Sequence, residues 1–333
     1  MRANPARPRI FVTQPVAKSA LDRLREVATV KVNPDASRIL AKTALIAAVK
    51  KCDILFCLLH DRIDRDVIAA NPKLRLVAAQ SISPSNVDVA AATARRLPVT
   101  VVPPVTTEAT ADLTFGLMLA VARRIMEGDR LVRAGKFPGG QSSHLLGSFV
   151  WGKTIGLVGG GGLIGRAVAR RAHGFSMRVL YWTPRRKPES VEREAGLTFV
   201  PFDQLLAESD FVSLHQPLRP ETRHQIGARE LKLMKKTAFL INTARGPIVD
   251  EAALVRALRA RRIAGAGLDV FEHEPKVDAA LRKMPNVVLA PHLGSATVEV
   301  REEMANIVVD NILAFVAGEI PPNCVNPEVL AAK

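Results

Sequence analysis

The sequence predicts two α/β domains, each built on a doubly wound parallel β-sheet with helices on both faces. Short apolar runs of strand length alternate with amphipathic runs of helix length, which is typical of βαβ units. One apolar run, 155–158, continues into the glycine-rich segment 159–165 and then into an amphipathic run, in the order strand, tight turn, helix. A chain of 333 residues can form two domains that each bury a core.

The first hundred residues predict a small α/β unit of their own. Within the segment 53–59, all residues after Asp53 are apolar, as expected for a parallel strand that is buried on both faces. The predicted strands are 9–13, 29–33, 53–59, 74–79 and 99–102, and the predicted helices are 16–27, 41–50 and 64–70. The loop 80–86 follows the carboxyl end of a strand, where open α/β sheets usually bind ligands.

The rest of the chain predicts a complete second domain after a rigid Pro103-Pro104 connector. A helix that begins near Ala109 is apolar around much of its circumference, so we expect it to be buried, in part against a partner subunit. The predicted strands that follow are 155–158, 178–182, 198–200, 211–214, 238–241, 266–270 and 287–290, and the last helix is 299–317.

The glycine-rich segment fits the dinucleotide fingerprint when it is counted back from the helix. Gly160 permits the turn, Gly162 lets the backbone approach a pyrophosphate, and Gly165 lets the helix pack on the strand. Leu163 and Ile164 then open the helix, where free N–H groups and the positive end of the helix dipole favour phosphate. The segment therefore predicts a dinucleotide site in a Rossmann-like domain.

The end of the next strand indicates which nicotinamide cofactor is bound. An NAD site usually has Asp or Glu there to bind the ribose hydroxyls, whereas this chain has Thr183-Pro-Arg-Arg-Lys. Arg185 and Arg186 can pair with a 2′-phosphate through charge-assisted hydrogen bonds. We predict NADP(H), with NAD(H) as the alternative if these arginines only belong to a solvated basic loop.

Composition excludes several other classes of protein. The net charge of +15 is dispersed in small groups without a recognition helix or basic tail, so no nucleic acid is expected. No apolar segment has the length of a membrane span, and the N-terminal residues contain no signal peptide, which predicts a cytoplasmic protein without membrane contact. The three cysteines form no CxxC pattern, and we expect reduced thiols and no metal site.

Three strand ends in the second half have polar groups with catalytic potential. Arg245 follows one strand, Glu274 lies in the segment after another, and His292 follows the third. All three are expected at the carboxyl edge of the sheet that also has the glycine turn. An arginine can bind a carboxylate through two hydrogen bonds, and a histidine held by a carboxylate is a well-placed acid or base.

With these motifs the chain resembles the D-2-hydroxyacid dehydrogenases, and most closely their glyoxylate/hydroxypyruvate reductase branch. The resemblance covers about residues 9–329 and rests on the glycine turn and on segments 231–246, 267–275 and 291–295. It implies that Arg245 binds the carboxylate and carbonyl of a 2-oxo acid. It also implies that His292 donates the proton in reduction and that Glu274 hydrogen-bonds His292 and favours its charged form.

The resemblance further implies a discontinuous substrate domain, 1–103 and 296–333, a cofactor domain at 104–295, and a homodimer. It implies substrate contacts and cofactor contacts beyond the catalytic three. The substrate contacts are Leu59, Ser81, Ile82, Ser83 and Ser295, and the further cofactor contacts are Thr107, Thr183, His215, Pro217, Thr222, Thr243, Ala244, Asp269 and Gly294. Arg245 and His292 are implied to contact the cofactor as well.

The chain departs from the family pattern at three places. The glycine turn has one extra residue, and Ser83-Pro84 replaces the usual glycine and aromatic residue of the substrate loop. Val101 and Pro104 stand where the family usually has Asn and Gly. These changes affect the substrate side most, so oxidation of phosphite or 3-phosphoglycerate on the same fold remains an alternative activity. A nucleotide-sensing role, as in the corepressor relatives of the family, remains as a second alternative.

Overall fold

The computed structural model describes residues 7–331, which form two α/β units. Residues 7–105 and 297–331 make up the first unit, and residues 106–296 make up the second. The structure sets the boundaries at 105/106 and 296/297, against the predicted 103/104 and 295/296. Each unit contains one parallel sheet with helices, so the predicted fold class is confirmed.

The described residues contain twelve strands and twelve α-helices. The strands are β1 (Arg9–Val12), β2 (Thr29–Val32), β3 (Ile54–Leu58), β4 (Leu76–Gln80), β5 (Val99–Thr100), β6 (Thr154–Val158), β7 (Arg178–Trp182), β8 (Thr198–Phe199), β9 (Phe211–Leu214), β10 (Phe239–Asn242), β11 (Gly265–Leu268) and β12 (Val287–Leu289). The helices are α1 (Lys18–Val27), α2 (Lys42–Val49), α3 (Arg65–Ala69), α4 (Val89–Ala94), α5 (Thr107–Ala122), α6 (Ile125–Arg133), α7 (Leu163–Gly174), α8 (Glu189–Ala195), α9 (Phe202–Glu208), α10 (Ala228–Leu233), α11 (Glu251–Arg259) and α12 (Val298–Val316).

The sheet of the first unit has the strand order β2-β1-β3-β4-β5, and every pair in it is parallel. Its two faces are covered by different helices because successive side chains of a strand point to opposite faces. Ile54 and Phe56 of β3 pack with residues of α1 and α12, whereas Leu55 and Cys57 pack with residues of α2 and α3. The last long helix therefore completes the core of the first unit.

The sheet of the second unit has the order β12-β11-β10-β9-β6-β7-β8, again with parallel pairs. Helices α5 and α7 cover one face, and α9, α10 and α11 cover the other. Because β6 lies between β7 and β9, the glycine turn after β6 stands at the point where the strand order reverses, and ligands bind at such points. Strands β10, β11 and β12 are neighbours, so the loops after them share one edge.

One region differs from what the sequence pattern predicts. No helix was predicted at 125–133, where the structure has α6. This helix is amphipathic, yet it buries none of its residues, and Ile125, Met126 and Val132 are exposed. Helix α5 is buried along much of its length, as its apolar circumference predicts. In the part of the chain that the structure describes, no helix is long and apolar enough to cross a membrane.

Candidate active site

The glycine turn after β6 has little room for side chains. Gly159 has a φ of +86°, a conformation that favours glycine. A Cβ on Gly160 would lie 2.7 Å from the Cβ atoms of Leu157 and Tyr181, and one on Gly165 would lie 2.5 Å from the Cα of Gly160. The turn and the contact between helix and strand therefore both require glycine.

Gly162 differs from these three glycines, because the neighbouring atoms leave room at its position. A Cβ there would meet no atom closer than the Gly159 carbonyl oxygen at 3.4 Å, so the space in front of the helix is open. Gly162 is the N-cap of α7, and the first N–H groups of the helix, including those of Leu163 and Ile164, have no intrahelical acceptor. Open space beside unpaired N–H groups fits the pyrophosphate of a dinucleotide, so the residues present suit a nicotinamide cofactor.

The basic loop after β7 is shaped by hydrogen bonds that the sequence does not reveal. Arg186 donates to both carboxylate oxygens of Glu192 at 2.8 Å, and the Tyr181 hydroxyl donates to Glu192 at 2.6 Å. The Arg186 guanidinium, with Tyr181, lowers the pKa of Glu192 to about 2. Arg186 is therefore already held by a carboxylate, whereas the exposed side chain of Arg185 makes no ion pair within residues 7–331.

A third cation of this loop approaches the glycine turn. A Cβ on Gly161 would lie 2.5 Å from the Cγ of Lys187, which means that the Lys187 side chain passes over the turn. The Lys187 N–H donates to the Tyr181 hydroxyl at 3.0 Å, so the Glu192 carboxylate and Lys187 are connected through one tyrosine. Lys187 was not among the predicted cofactor residues, and no spacing rule identifies it.

Arg245 lies in the loop that follows β10. Asn242 shapes this loop because its side chain accepts a hydrogen bond from the Ala244 N–H at 3.0 Å and donates one to the Arg245 carbonyl oxygen at 3.1 Å. Burial lowers the pKa of Arg245, and the negative charge of Glu274 opposes that shift. A half-buried guanidinium can bind an anionic ligand strongly, since little water competes for it.

His292 and Glu274 are hydrogen-bonded to each other. The Nδ1 of His292 lies 2.9 Å from Oε2 of Glu274, and both side chains are half-buried. His292 has a φ of +57°, in the left-handed region, and its N–H donates to the Asp269 carbonyl oxygen at 2.9 Å. Since Glu274 engages Nδ1, the other ring nitrogen, Nε2, is the one suited to exchange a proton with a ligand.

Asp269 holds the backbone around His292. Its two carboxylate oxygens accept the N–H groups of Leu293 at 2.6 Å and Gly294 at 2.9 Å. Burial raises the pKa of Asp269 to about 6, although the two N–H groups and the His292 ring oppose the shift. The loops after β11 and β12 are therefore joined by one buried carboxyl group.

The remaining predicted residues lie at loops and element ends of their own units. Thr243 bonds the Thr114 hydroxyl at 2.9 Å, the Gly294 carbonyl accepts from Thr110 at 3.0 Å, and Thr222 donates to the Pro217 carbonyl at 2.9 Å. Thr107 begins α5, Ala244 precedes Arg245 and Ser295 follows Gly294. In the first unit, Leu59 follows β3, and Ser81, Ile82 and Ser83 follow β4.

His215 follows β9, next to the glycine turn, and its ring is a buried base. Its Nε2 bonds the Ser213 hydroxyl at 2.8 Å, while its Nδ1 is buried without a hydrogen-bond partner among the described residues. Burial lowers the pKa of His215 to about 3 from its ordinary 6.5. The folded protein therefore keeps this ring neutral at acidic pH.

This shift predicts a pH-dependent loss of stability. As pH falls from 7 to 5 the unfolded chain takes up a proton on His215 and the folded chain does not, so unfolding becomes more favourable. The free energy of unfolding of the wild type is expected to fall by about 2 kcal/mol more than that of His215→Gln over this range. Urea denaturation of both proteins at pH 7 and pH 5 measures the difference, and equal losses would show that His215 does not titrate in this way.

The second unit thus combines a glycine turn suited to a dinucleotide with an arginine and a carboxylate-bonded histidine on the loops of adjacent strands. These features define a nicotinamide-dependent oxidoreductase, with a cation for an acid substrate and a group for proton transfer. Residues 115–294 match the model of the family described as D-isomer specific 2-hydroxyacid dehydrogenase, NAD binding domain. The chain belongs to this family of NAD(P)-dependent enzymes, whose substrates are small 2-oxo and 2-hydroxy acids.

Individual relatives agree with this assignment. The glyoxylate reductase of Korarchaeum cryptofilum is 49% identical over 329 residues, which cover 98% of each chain. Among solved structures, a glyoxylate reductase from Paecilomyes thermophila superposes with a TM-score of 0.81 at 32% identity, covering 97% of this chain and 99% of that one. The NADPH-dependent glyoxylate/hydroxypyruvate reductase of Sinorhizobium meliloti, in complex with NADP and malonate, gives a TM-score of 0.81 at 33% identity, covering 98% and 99%.

Proposed function

We propose that this protein reduces glyoxylate, or a 2-oxo acid of similar size such as hydroxypyruvate, to the corresponding 2-hydroxy acid, which has the D configuration where the product is chiral. The observation that supports this most directly is the His292–Glu274 hydrogen bond, on loops next to the one that bears Arg245. The names of the relatives described above favour a small substrate. In this proposal the second unit binds the cofactor and the first supplies the substrate contacts Leu59, Ser81, Ile82 and Ser83.

In the proposed reaction, the residues of the chain orient the acid and supply the proton. The bound cofactor supplies the hydride that the carbonyl carbon accepts. Arg245 binds the carboxylate and polarises the carbonyl, and its partial burial strengthens both interactions. His292 transfers a proton from Nε2 to the carbonyl oxygen, and Glu274, bonded at Nδ1, stabilises the charged ring before the transfer.

The test is oxidation of NADPH and NADH by the purified protein with glyoxylate, hydroxypyruvate, pyruvate and phenylpyruvate in turn. The proposal expects the highest kcat/KM with one of the first two acids and loss of that activity in His292→Ala. Binding of reduced cofactor without turnover of any acid would contradict it. Reduction of NAD⁺ or NADP⁺ with phosphite or 3-phosphoglycerate, in a protein that reduces none of these acids, would assign a different substrate to the same site.

We propose NADP(H) as the preferred cofactor, with Arg185 as the main contact to the 2′-phosphate. Arg185 makes no ion pair within the described residues, and the segment 183–187 that follows β7 contains no Asp or Glu. Arg186 was predicted for the same role, but its ion pair with Glu192 would have to open or be shared. Its contribution is therefore expected to be smaller.

Substitution of the two arginines tests this preference. Arg185→Ala with Arg186→Ala is expected to raise the KM for NADPH by about 10-fold or more, because charge-assisted hydrogen bonds to the 2′-phosphate are lost, and to change that for NADH less than about 2-fold. The single variant Arg185→Ala should account for most of the effect, and Arg193→Ala on α8 serves as the control. Equal changes for both cofactors would remove these residues from the 2′-phosphate site.

We further propose that the active form is a homodimer, in a cytoplasmic setting as the sequence analysis predicts. Helix α6 and the segment up to residue 151 expose a series of large apolar side chains, which is unusual for a monomer. These residues are Ile125, Met126, Val132, Phe137, Leu146, Phe149 and Trp151. Light scattering should give twice the chain mass of 36.1 kDa, and a monomer at micromolar concentration would refute the dimer.

A further inference from the structure

The loops that follow β9, β10 and β11 meet at the carboxylate of Glu272. Oε1 of Glu272 accepts from His224 Nε2 at 2.6 Å and from Arg223 at 3.3 Å, and Oε2 accepts from the Glu251 N–H at 3.3 Å. The Glu272 N–H in turn donates to Oε2 of Glu251 at 3.1 Å. The Glu272 side chain is only 10% exposed, so one nearly buried carboxylate joins the loops after β9 and β11 to Glu251, the first residue of α11, at the end of the loop after β10.

The His224 segment is also bonded directly to the loop that bears Arg245. The His224 N–H donates to the Pro247 carbonyl at 2.8 Å, and the Ile226 N–H donates to the Ile248 carbonyl at 3.1 Å. Pro247 is two residues past Arg245. A shift of the His224 segment would therefore move the backbone that carries Arg245.

The loop with Arg245 and the loop with Glu274 are in backbone contact as well. A Cβ on Gly246 would lie 1.9 Å from the carbonyl carbon and oxygen of Phe271, so no side chain fits between the two loops. The Phe271 N–H donates to Oε1 of Glu274 at 2.9 Å, while Oε2 of Glu274 bonds His292. Displacement of residues 271–272 would thus reach Glu274, and through it the His292 ring.

The charge state of Glu272 suits this arrangement. Burial raises the pKa of Glu272, but the hydrogen bonds from His224 and from the Glu251 N–H outweigh burial and lower it below the ordinary value. The carboxylate is therefore ionised near neutral pH, and hydrogen bonds to an ionised acceptor are stronger than those to a neutral one. No role was predicted for His224 from the sequence.

We propose that Glu272 and His224 are positioning residues, which fix the Arg245 loop relative to Glu274 and so set the geometry of the acid-binding and proton-transfer groups. Neither residue needs to touch the substrate. The kinetic consequence rests on the proposed function, in which Arg245 binds the acid and His292 exchanges the proton. The structural consequence does not, because the three loops are joined in the chain by itself.

The structural consequence is tested by hydrogen–deuterium exchange of the cofactor-free protein. His224→Ala removes the donor at a position that is 41% exposed, so the fold should tolerate it. Amides in segments 245–249 and 271–275 are expected to exchange about 10-fold faster than in the wild type, whereas the glycine turn at 159–165 should not change. His224→Gln, whose amide can still donate to Glu272, should restore the slow exchange.

The kinetic consequence is tested with the same variants. His224→Ala and Glu272→Ala are expected to raise the KM for the 2-oxo acid by about 10-fold and to lower kcat, because small displacements of binding groups have large effects. The dissociation constant for the reduced cofactor, from fluorescence titration, should stay within about 2-fold, since the turn is not part of the three loops. His173→Ala, which removes another exposed hydrogen-bonded histidine of this unit, is the control.

Each outcome decides the proposal. Unchanged exchange in both segments would overturn it, as would equal weakening of acid and cofactor binding or a glutamine variant no better than alanine. If Glu272→Ala does not fold, the His224 variants still give the answer. A wild-type protein that reduces no 2-oxo acid would refute the proposed function alone, and the exchange experiment would then decide whether the pair fixes the loops.

Discussion

His292→Gln is expected to lower kcat for reduction of the preferred 2-oxo acid by about 1,000-fold, within the range that general acid catalysis contributes. Glutamine fills a similar volume and retains a hydrogen-bonding group, but it cannot transfer a proton at neutral pH. The cofactor dissociation constant should change little, because the glycine turn is formed by other residues. Steady-state kinetics with saturating cofactor, together with fluorescence titration, measures both quantities.

The matched control is the neighbouring histidine on the same loop as Glu274. His273 is exposed and lies between Glu272 and Glu274 in the sequence. Proximity to a carboxylate in the sequence would therefore identify His273 as a candidate as readily as His292. His273→Gln is expected to leave kcat within about 2-fold, as is usual for surface substitutions. Comparable losses in both variants would contradict the assignment of His292 as the proton donor.

Arg245→Ala is expected to lower kcat/KM for the acid by about 1,000-fold, since two hydrogen bonds to a carboxylate and the polarisation of the carbonyl are lost together. The effect should be visible in both constants, with a higher KM from weaker binding and a lower kcat from poorer orientation. Arg245→Lys keeps the charge without the planar fork, so it should recover only part of the activity.

Two comparisons make this result specific to the site. Arg256 on α11 is an exposed arginine of the same unit, and Arg256→Ala should have no effect beyond about 2-fold. High concentrations of guanidinium ion should partly restore Arg245→Ala, because the ion can occupy the vacated space beside Glu274. A variant that retains wild-type kcat/KM would show that another cation binds the acid.

Much of this architecture could be predicted from the sequence because it depends on local patterns. Alternating apolar runs identified the two parallel sheets, and β9 was predicted with the bounds that the structure shows. The contact between Glu274 and His292, which the family resemblance implied, is present as a 2.9 Å hydrogen bond. Helix α6 was missed although its nine residues form an amphipathic pattern, and the structure buries none of them.

The contacts that only the tertiary structure decided are those between side chains of separate elements. Two adjacent arginines look equivalent in the sequence, yet Arg186 pairs with Glu192 on α8 while Arg185 makes no ion pair within the described residues. Nothing in the sequence connects His224 with Glu272, whereas the structure shows that the loops after β9 and β11 bring the two side chains together. Strand order determines which loops are adjacent. No periodicity in the sequence indicates the distance between residues of two separate loops. The sequence by itself therefore determined the fold class and the chemical groups, and the packing of the loops decided which charged groups are already paired.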